Sequence, residues 1–138
     1  MHAPGGSDPH PCPSPALTPD DVVAAQLAGL AGEPRRGSGA GPGMQTVWAF
    51  ASPGNRAATG PANRFAEMLR SPAYVGLLEH RAAQQGPALV EGDGARQEVL
   101  VITQDDRAQG FTWVLARQGD GCWLTDGVLR HPDEGERG

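Results

Sequence analysis

The sequence has no lysine, only two cysteines and no long uninterrupted apolar run. All eleven basic residues are arginine and the formal net charge is −5, so the chain has little attraction for phosphate backbones, and we expect no nucleic-acid binding. Neither a signal peptide nor a membrane span is predicted, which favours a cytoplasmic protein. Cys12 and Cys122 are then expected to be free thiols.

Glycine and proline, in contrast, are abundant, with 20 and 13 copies, and they are unevenly distributed. Prolines crowd residues 1–16, and a glycine-rich run fills 32–43. Such composition is typical of segments that cannot bury a core. We therefore predict a disordered tail over 1–16, a single domain over 17–131 with a flexible loop at 32–43, and a frayed tail over 132–138.

Helix starts are indicated where a capping residue precedes proline, because proline loses no hydrogen bond in the first turn of a helix. Four such pairs are Thr18-Pro19, Ser52-Pro53, Gly60-Pro61 and Ser71-Pro72. Apolar spacing predicts helices over 19–31, from Met44 to just before Ser52, over 61–70 and over 72–79.

After residue 82 the apolar residues alternate as in strands. The segment 88–91 runs into Gly92-Asp93-Gly94, a hairpin signal, and further strands are predicted over 97–103, 111–116 and 122–130. Helices followed by an antiparallel meander indicate an α+β fold, with N-terminal helices packed in a curved, mainly antiparallel sheet.

Several short motifs, in order, resemble the bacterial domain of unknown function 4864 family over residues 20–130. They are Phe50 to Arg56, Thr59-Gly60-Pro61, Arg64-Phe65, Tyr74, Leu77-Leu78, His80-Arg81, Trp123 and Asp126-Gly127-Val128. That family is similar to the nuclear transport factor 2-like superfamily, which includes SnoaL-like and cystatin-like proteins. The resemblance implies a cone-shaped fold with a cavity between sheet and helices. The loop at 32–43 is longer than the family leads one to expect.

Ser52, Asn55 and Arg56 form the first candidate ligand site. Free N–H groups at a helix start attract anions, and Arg56 could form a fork on a carboxylate or phosphate. The alternative is structural: Ser52 caps the helix, and Arg56 pairs with a nearby acidic residue.

His80 and Arg81 form the second candidate site, where the helical half meets the sheet. In a cone-shaped fold this position is near the cavity mouth, so both are candidate ligand-binding residues. His80 could act as an acid or base, oriented by Asp126. The alternative is a structural His–Asp or Arg–Asp bond between helix and strand.

No motif for a metal or a cofactor stands out, and none is expected. His2, His10 and Cys12 lie in the proline-rich tail, without the surroundings that a metal site needs. Cys122 is expected in the core. Trp48, Trp113 and Trp123 are interpreted as packing residues rather than as a base-stacking platform.

Three functional hypotheses follow. The first is binding of an apolar or acidic metabolite in the cone cavity, oriented by Arg56, Arg81 or His80. The second is an interaction module, most simply a homodimer, formed through an outer sheet face built from Phe111, Trp113 and Trp123 or their neighbours. The third is an isomerase or hydratase using His80 with Asp126. Binding is preferred over catalysis.

Overall fold

The computed structural model describes residues 14–132. Helices precede a single antiparallel sheet, so the predicted α+β class is confirmed. The helices are α1 (Pro19–Ala31), α2 (Pro42–Ala49), α3 (Pro53–Thr59) and α4 (Ala62–Leu69), followed by a 3₁₀ helix at Val75–Leu77. The strands are β1 (Ala82–Gln85), β2 (Leu89–Glu91), β3 (Gly94–Ile102), β4 (Ala108–Arg117) and β5 (Trp123–Arg130). Most of the two predicted tails, including His2, His10 and Cys12, lies outside the described residues.

Helix α1 has the bounds predicted from its capping signal. The Thr18 hydroxyl accepts a hydrogen bond from the Asp21 amide (3.1 Å), and the Asp21 carboxylate accepts one from the Thr18 amide (3.0 Å). This reciprocal pair satisfies two N–H groups at the helix start that have no partner within the helix. The start at Ser52-Pro53 is also confirmed, because α3 begins there with Ser52 as its capping residue.

The helix predicted over 72–79 is wrong. Only the 3₁₀ helix at Val75–Leu77 forms there, and Glu79 takes a left-handed φ of 57°, which ends the helical path. Strand β1 was not predicted. It forms because Ala82–Gln85 pairs with β3, although the segment contains no β-branched residue.

The sheet has five strands, and its β5 edge is partly covered. Strands β1 and β2 pair with different halves of β3, which pairs in turn with β4, and β4 with β5. On the β5 edge, the segment between α2 and α3 forms a parallel bridge from Ala51 to Thr125. The Ser52 amide donates to the Thr125 carbonyl (2.8 Å), and the Thr125 amide donates to the Phe50 carbonyl (2.7 Å).

The inner face of the sheet packs against the helices and carries the large aromatic residues. Phe111 and Trp113 are 0% exposed and Trp123 is 7% exposed. The hypothesis that these three build an outer face is therefore wrong, because strand alternation turns them into the core. The other part of the hypothesis named their neighbours, and of these Leu129, for example, lies on the outer face.

A β-bulge interrupts the pairing of β4 with β5. Leu115 pairs with Thr125 and Val114 with Gly127, which leaves Asp126 without a counterpart. An extra residue shifts the side-chain alternation by one position. As a result Thr125 and Val128 both face the helical layer, although they are three residues apart in sequence.

Helices α1 and α2 approach each other through two glycines. A Cβ at Gly29 would lie 2.9 Å from the Gly43 carbonyl oxygen, and a Cβ at Gly43 would overlap the Gly29 carbonyl group. The two helices therefore meet backbone to backbone, and only a hydrogen atom fits at either position.

The glycine-rich loop at 32–43 is attached to the domain by side-chain hydrogen bonds. Glu33 is 3% exposed, and its carboxylate accepts from the amides of Gly43 (2.6 Å) and Met44 (3.1 Å). Since Gly41 offers no side-chain cap, Glu33 satisfies the first amides of α2. Arg70 donates to the Gly39 carbonyl (2.9 Å). The predicted flexibility of this loop remains a prediction.

We expect Gly43→Ala to lower the free energy of unfolding by about 1–3 kcal/mol, because the added methyl group forces α1 and α2 apart. Urea denaturation measures the change. Gly54→Ala is the matched control: Gly54 also follows the first proline of a helix, but a Cβ there meets nothing within 4 Å. Equal stability of the two variants would contradict the close backbone contact.

Candidate functional site

A cavity of about 270 Å³ lies between the helical layer and the β5 side of the sheet. Helices α1 to α4, the segment at Tyr74–Leu77 and strands β4 and β5 all contribute to it. Its lining residues are Gln26, Leu30, Val47, Asn55, Thr59, Phe65, Met68, Leu69, Tyr74, Leu77, Trp113, Thr125, Gly127, Val128 and Leu129. The bulge at Asp126 allows Thr125 and Val128 both to contribute.

The lining is mostly apolar, and none of these residues carries a charge. Its side-chain polar groups are two amides, two threonine hydroxyls, a phenol and an indole N–H. Burying an ion without a partner is costly, so such a surface favours neutral molecules. Apolar walls with a few fixed polar groups are the usual composition of a small-molecule site.

A buried chain of hydrogen bonds forms one wall of the cavity. The Trp113 indole N–H donates to Gln26 Oε1 (3.2 Å), and Gln26 Nε2 donates to Thr125 Oγ1 (2.8 Å) and to the Val22 carbonyl (3.3 Å). Gln26 and Trp113 are 0% exposed and Thr125 is 3% exposed. The chain therefore joins α1 to β4 and β5 through buried side chains.

Asn55 is the one predicted site residue that lines the cavity. Its side-chain amide donates to the Thr125 carbonyl (3.1 Å), and a backbone carbonyl can only accept, so the orientation of the amide is determined. Its Oδ1 atom has no recorded donor among the described residues. Asn55 can thus offer an acceptor to a bound molecule.

Ser52 and Arg56 have structural partners. The buried Ser52 hydroxyl accepts from the Asn55 amide (3.2 Å) and caps α3. Arg56 donates to the carbonyls of Trp48 (3.2 Å) and Ala49 (2.9 Å), and its guanidinium lies 4.2 Å from the centre of the Trp48 ring. Ser52 thus caps the helix as the structural alternative predicted, whereas Arg56 contacts backbone carbonyls and a tryptophan ring instead of the acidic residue expected, and so holds α3 against α2.

His80, Arg81 and Asp126 do not line the cavity. His80 Nδ1 lies 2.7 Å from the Leu77 carbonyl, and the exposed Arg81 forms an ion pair with Asp106 (2.7 Å). Asp126 is exposed at the bulge. No hydrogen bond joins His80 to Asp126 within the described part of the chain, so the acid–base pair remains a prediction without a contact to support it.

Cys122 is a free, buried thiol, as predicted. Burial raises the pKa of this thiol, and the neighbouring Asp120 carboxylate raises it further. A raised pKa keeps the sulfur protonated at neutral pH, and only the thiolate is a good nucleophile. Cys122 therefore has the properties of a packing residue.

Gln26 and Thr125 are the polar residues of this site that sequence reasoning missed. Gln26 lies between Val23 and Leu27 on the apolar face of α1. Its position on that face was the available signal, because a polar residue in the core needs a partner. Thr125 gave no signal, since the bulge that turns it inwards is not visible in the sequence.

Comparison with known proteins identifies a family. A model described as domain of unknown function (DUF4864) matches residues 18–137, which includes all the helices and strands above. No curated protein and no solved structure gives a significant match. Among residues 14–132, no helix has the length and apolar character needed to cross a membrane.

We expect Gln26→Leu to lower the free energy of unfolding by about 1–3 kcal/mol, because it leaves the buried Trp113 N–H without an acceptor. Chemical denaturation followed by tryptophan fluorescence measures the loss. Gln45→Leu, at an exposed position of α2, is the control and should change stability by less than about 0.5 kcal/mol. A Gln26→Leu protein as stable as this control would show that the buried chain contributes little.

Proposed function

We propose that this chain, which belongs to the DUF4864 family, binds a small, uncharged and mainly apolar molecule in the cavity between its helices and its sheet. The observation that carries the proposal is the cavity itself, whose lining is apolar and without charge. Assignment to the nuclear transport factor 2-like superfamily is part of the proposal. An α+β layout with a cavity between helices and an antiparallel sheet supports it.

The cavity volume supports a ligand of modest size. A cavity of about 150 Å³ is large enough for benzene. At about 270 Å³, this cavity suits a bicyclic molecule or a ring with a short chain. Small-molecule sites commonly have volumes of about 300 Å³ or more, so this cavity is near the lower end of that range.

An enzyme of the isomerase or hydratase type has less support. Proton transfer needs a titratable group within reach of the substrate, but His80 and Asp126 lie outside the lining. Tyr74 is the titratable group that lines the cavity, and its hydroxyl already donates to the Val128 carbonyl (2.9 Å). Binding without chemistry therefore remains the preferred function.

We expect Met68→Trp to abolish ligand retention, because the larger side chain occupies the cavity that Met68 lines from α4. The purified wild type, extracted with organic solvent and examined by mass spectrometry, should release a neutral compound that the variant lacks. Glu67→Trp, an exposed neighbour on α4, is the matched control and should retain it. Wild-type and Met68→Trp extracts with the same contents would contradict the proposal.

Self-association through the outer sheet face is a second candidate function. Leu89, Leu100 and Leu129 are 61%, 44% and 60% exposed. Each sits directly across from an outer-face residue of the neighbouring strand. Exposed apolar side chains gathered on one face are typical of contact with a partner. We include a homodimer in the proposal on this observation.

We expect Leu100→Arg to shift a wild-type dimer towards monomer, because a cation would be buried without a partner in the interface. Sedimentation velocity over a range of protein concentrations measures the shift. Ala24→Arg, exposed on α1 in the opposite layer, should leave the dimer intact. A wild type that stays monomeric at the highest concentration would rule out the homodimer.

A further inference from the structure

We infer that the ligand carries a neutral oxygen that accepts a hydrogen bond from the Thr125 hydroxyl. This inference rests on the proposed function, since it assigns a chemical class to the molecule in the same cavity. It follows from the direction of the hydrogen bonds in the chain formed by Trp113, Gln26 and Thr125.

The direction of this chain is determined by its first member. An indole N–H can only donate, so the atom of Gln26 that faces Trp113 must be the carbonyl oxygen. The other end of the Gln26 side chain is therefore the NH₂ group. Its two hydrogens go to the Val22 carbonyl (3.3 Å) and to Thr125 Oγ1 (2.8 Å). Gln26 has no donor left for a ligand.

The Thr125 hydroxyl oxygen accepts this hydrogen bond from Gln26, and its hydroxyl hydrogen is still available for donation. A hydroxyl group can accept and donate at once. Among the described residues, no acceptor for the Thr125 hydroxyl hydrogen is recorded, and the residue is 3% exposed. The side chain is held in place, because both backbone groups of Thr125 are bonded to the segment between α2 and α3. A buried donor without an acceptor is costly, so an acceptor within the cavity is expected to complete it.

The lining then restricts which acceptor fits. A carboxylate or phosphate would need a cation, and no lining residue supplies one. A ketone, aldehyde, ester, ether or alcohol oxygen carries no such cost. Together with the volume, this describes a compact hydrocarbon scaffold that bears one neutral oxygen function.

Three probes of similar size test the inference on the full chain: indane, 1-indanone and indane-1-carboxylate. Calorimetry gives the affinity of each. The preference for the ketone is the ratio of the affinity for 1-indanone to the affinity for indane. We expect this ratio to be about 3- to 10-fold greater in the wild type than in Thr125→Val, which is the typical effect of one net hydrogen bond. Thr125→Ser, which keeps the hydroxyl, should retain most of the preference. The carboxylate should bind least.

A spectroscopic measurement on the wild type makes the test independent of whether the variants fold. The infrared C=O stretch of bound 1-indanone should lie below its frequency in hexane, because a hydrogen bond weakens the carbonyl bond. Three outcomes would overturn the inference but not the proposed function. They are a C=O stretch at the hexane frequency, an equal preference for 1-indanone in wild type and Thr125→Val, and tightest binding of the carboxylate. Failure of both indane and 1-indanone to bind would overturn the proposed function as well.

Discussion

The position of α1 over the sheet depends on two buried glutamines, one on the helix and one on the sheet. Gln26 joins the middle of α1 to Trp113 and Thr125. Gln97, on β3, donates to the Asp20 carboxylate in the first turn of α1 (2.6 Å) and is 1% exposed. Apolar packing alone allows a helix to slide or rotate, whereas directional bonds in a dry interior do not, because breaking one leaves a buried polar group unpaired.

This attachment also explains how an open cavity can persist beside a packed core. Close packing normally removes space larger than a water molecule. Here α1 is held by the hydrogen bonds of Gln26 and Gln97 and by backbone contact between Gly29 and Gly43, which oppose its movement towards β5 to fill the space. On the opposite side, the Ala51–Thr125 bridge holds the start of α3 on the β5 edge. The cavity therefore lies between α1 and the start of α3, and each of these is held on the sheet by its own contacts.

The sequence predicted the parts of the fold that depend on local signals. The start of α1 follows from the capping residue and proline at Thr18-Pro19, and the hairpin around Gly92 follows from its turn residues. Strand β1 was missed because only pairing with β3 makes it a strand. The candidate site followed least from local signals. Of the five ligand-binding candidates only Asn55 lines the cavity, because contacts across the fold, not local motifs, bring the lining residues together.

The same contacts bear on the choice between binding and catalysis. An acid or base acts only where it touches the reacting atoms, and it must be free to exchange its proton. Two of the side chains at the cavity have no hydrogen left to donate: Gln26 donates both amide hydrogens, and Tyr74 donates its hydroxyl hydrogen to the Val128 carbonyl. The hydroxyl hydrogen of Thr125, the amide oxygen of Asn55 and the second amide hydrogen of Asn55 have no partner among the described residues. A hydroxyl donor and an amide acceptor in an uncharged cavity fit the proposed selection of a ligand by the position of its oxygen better than they fit transfer of a proton.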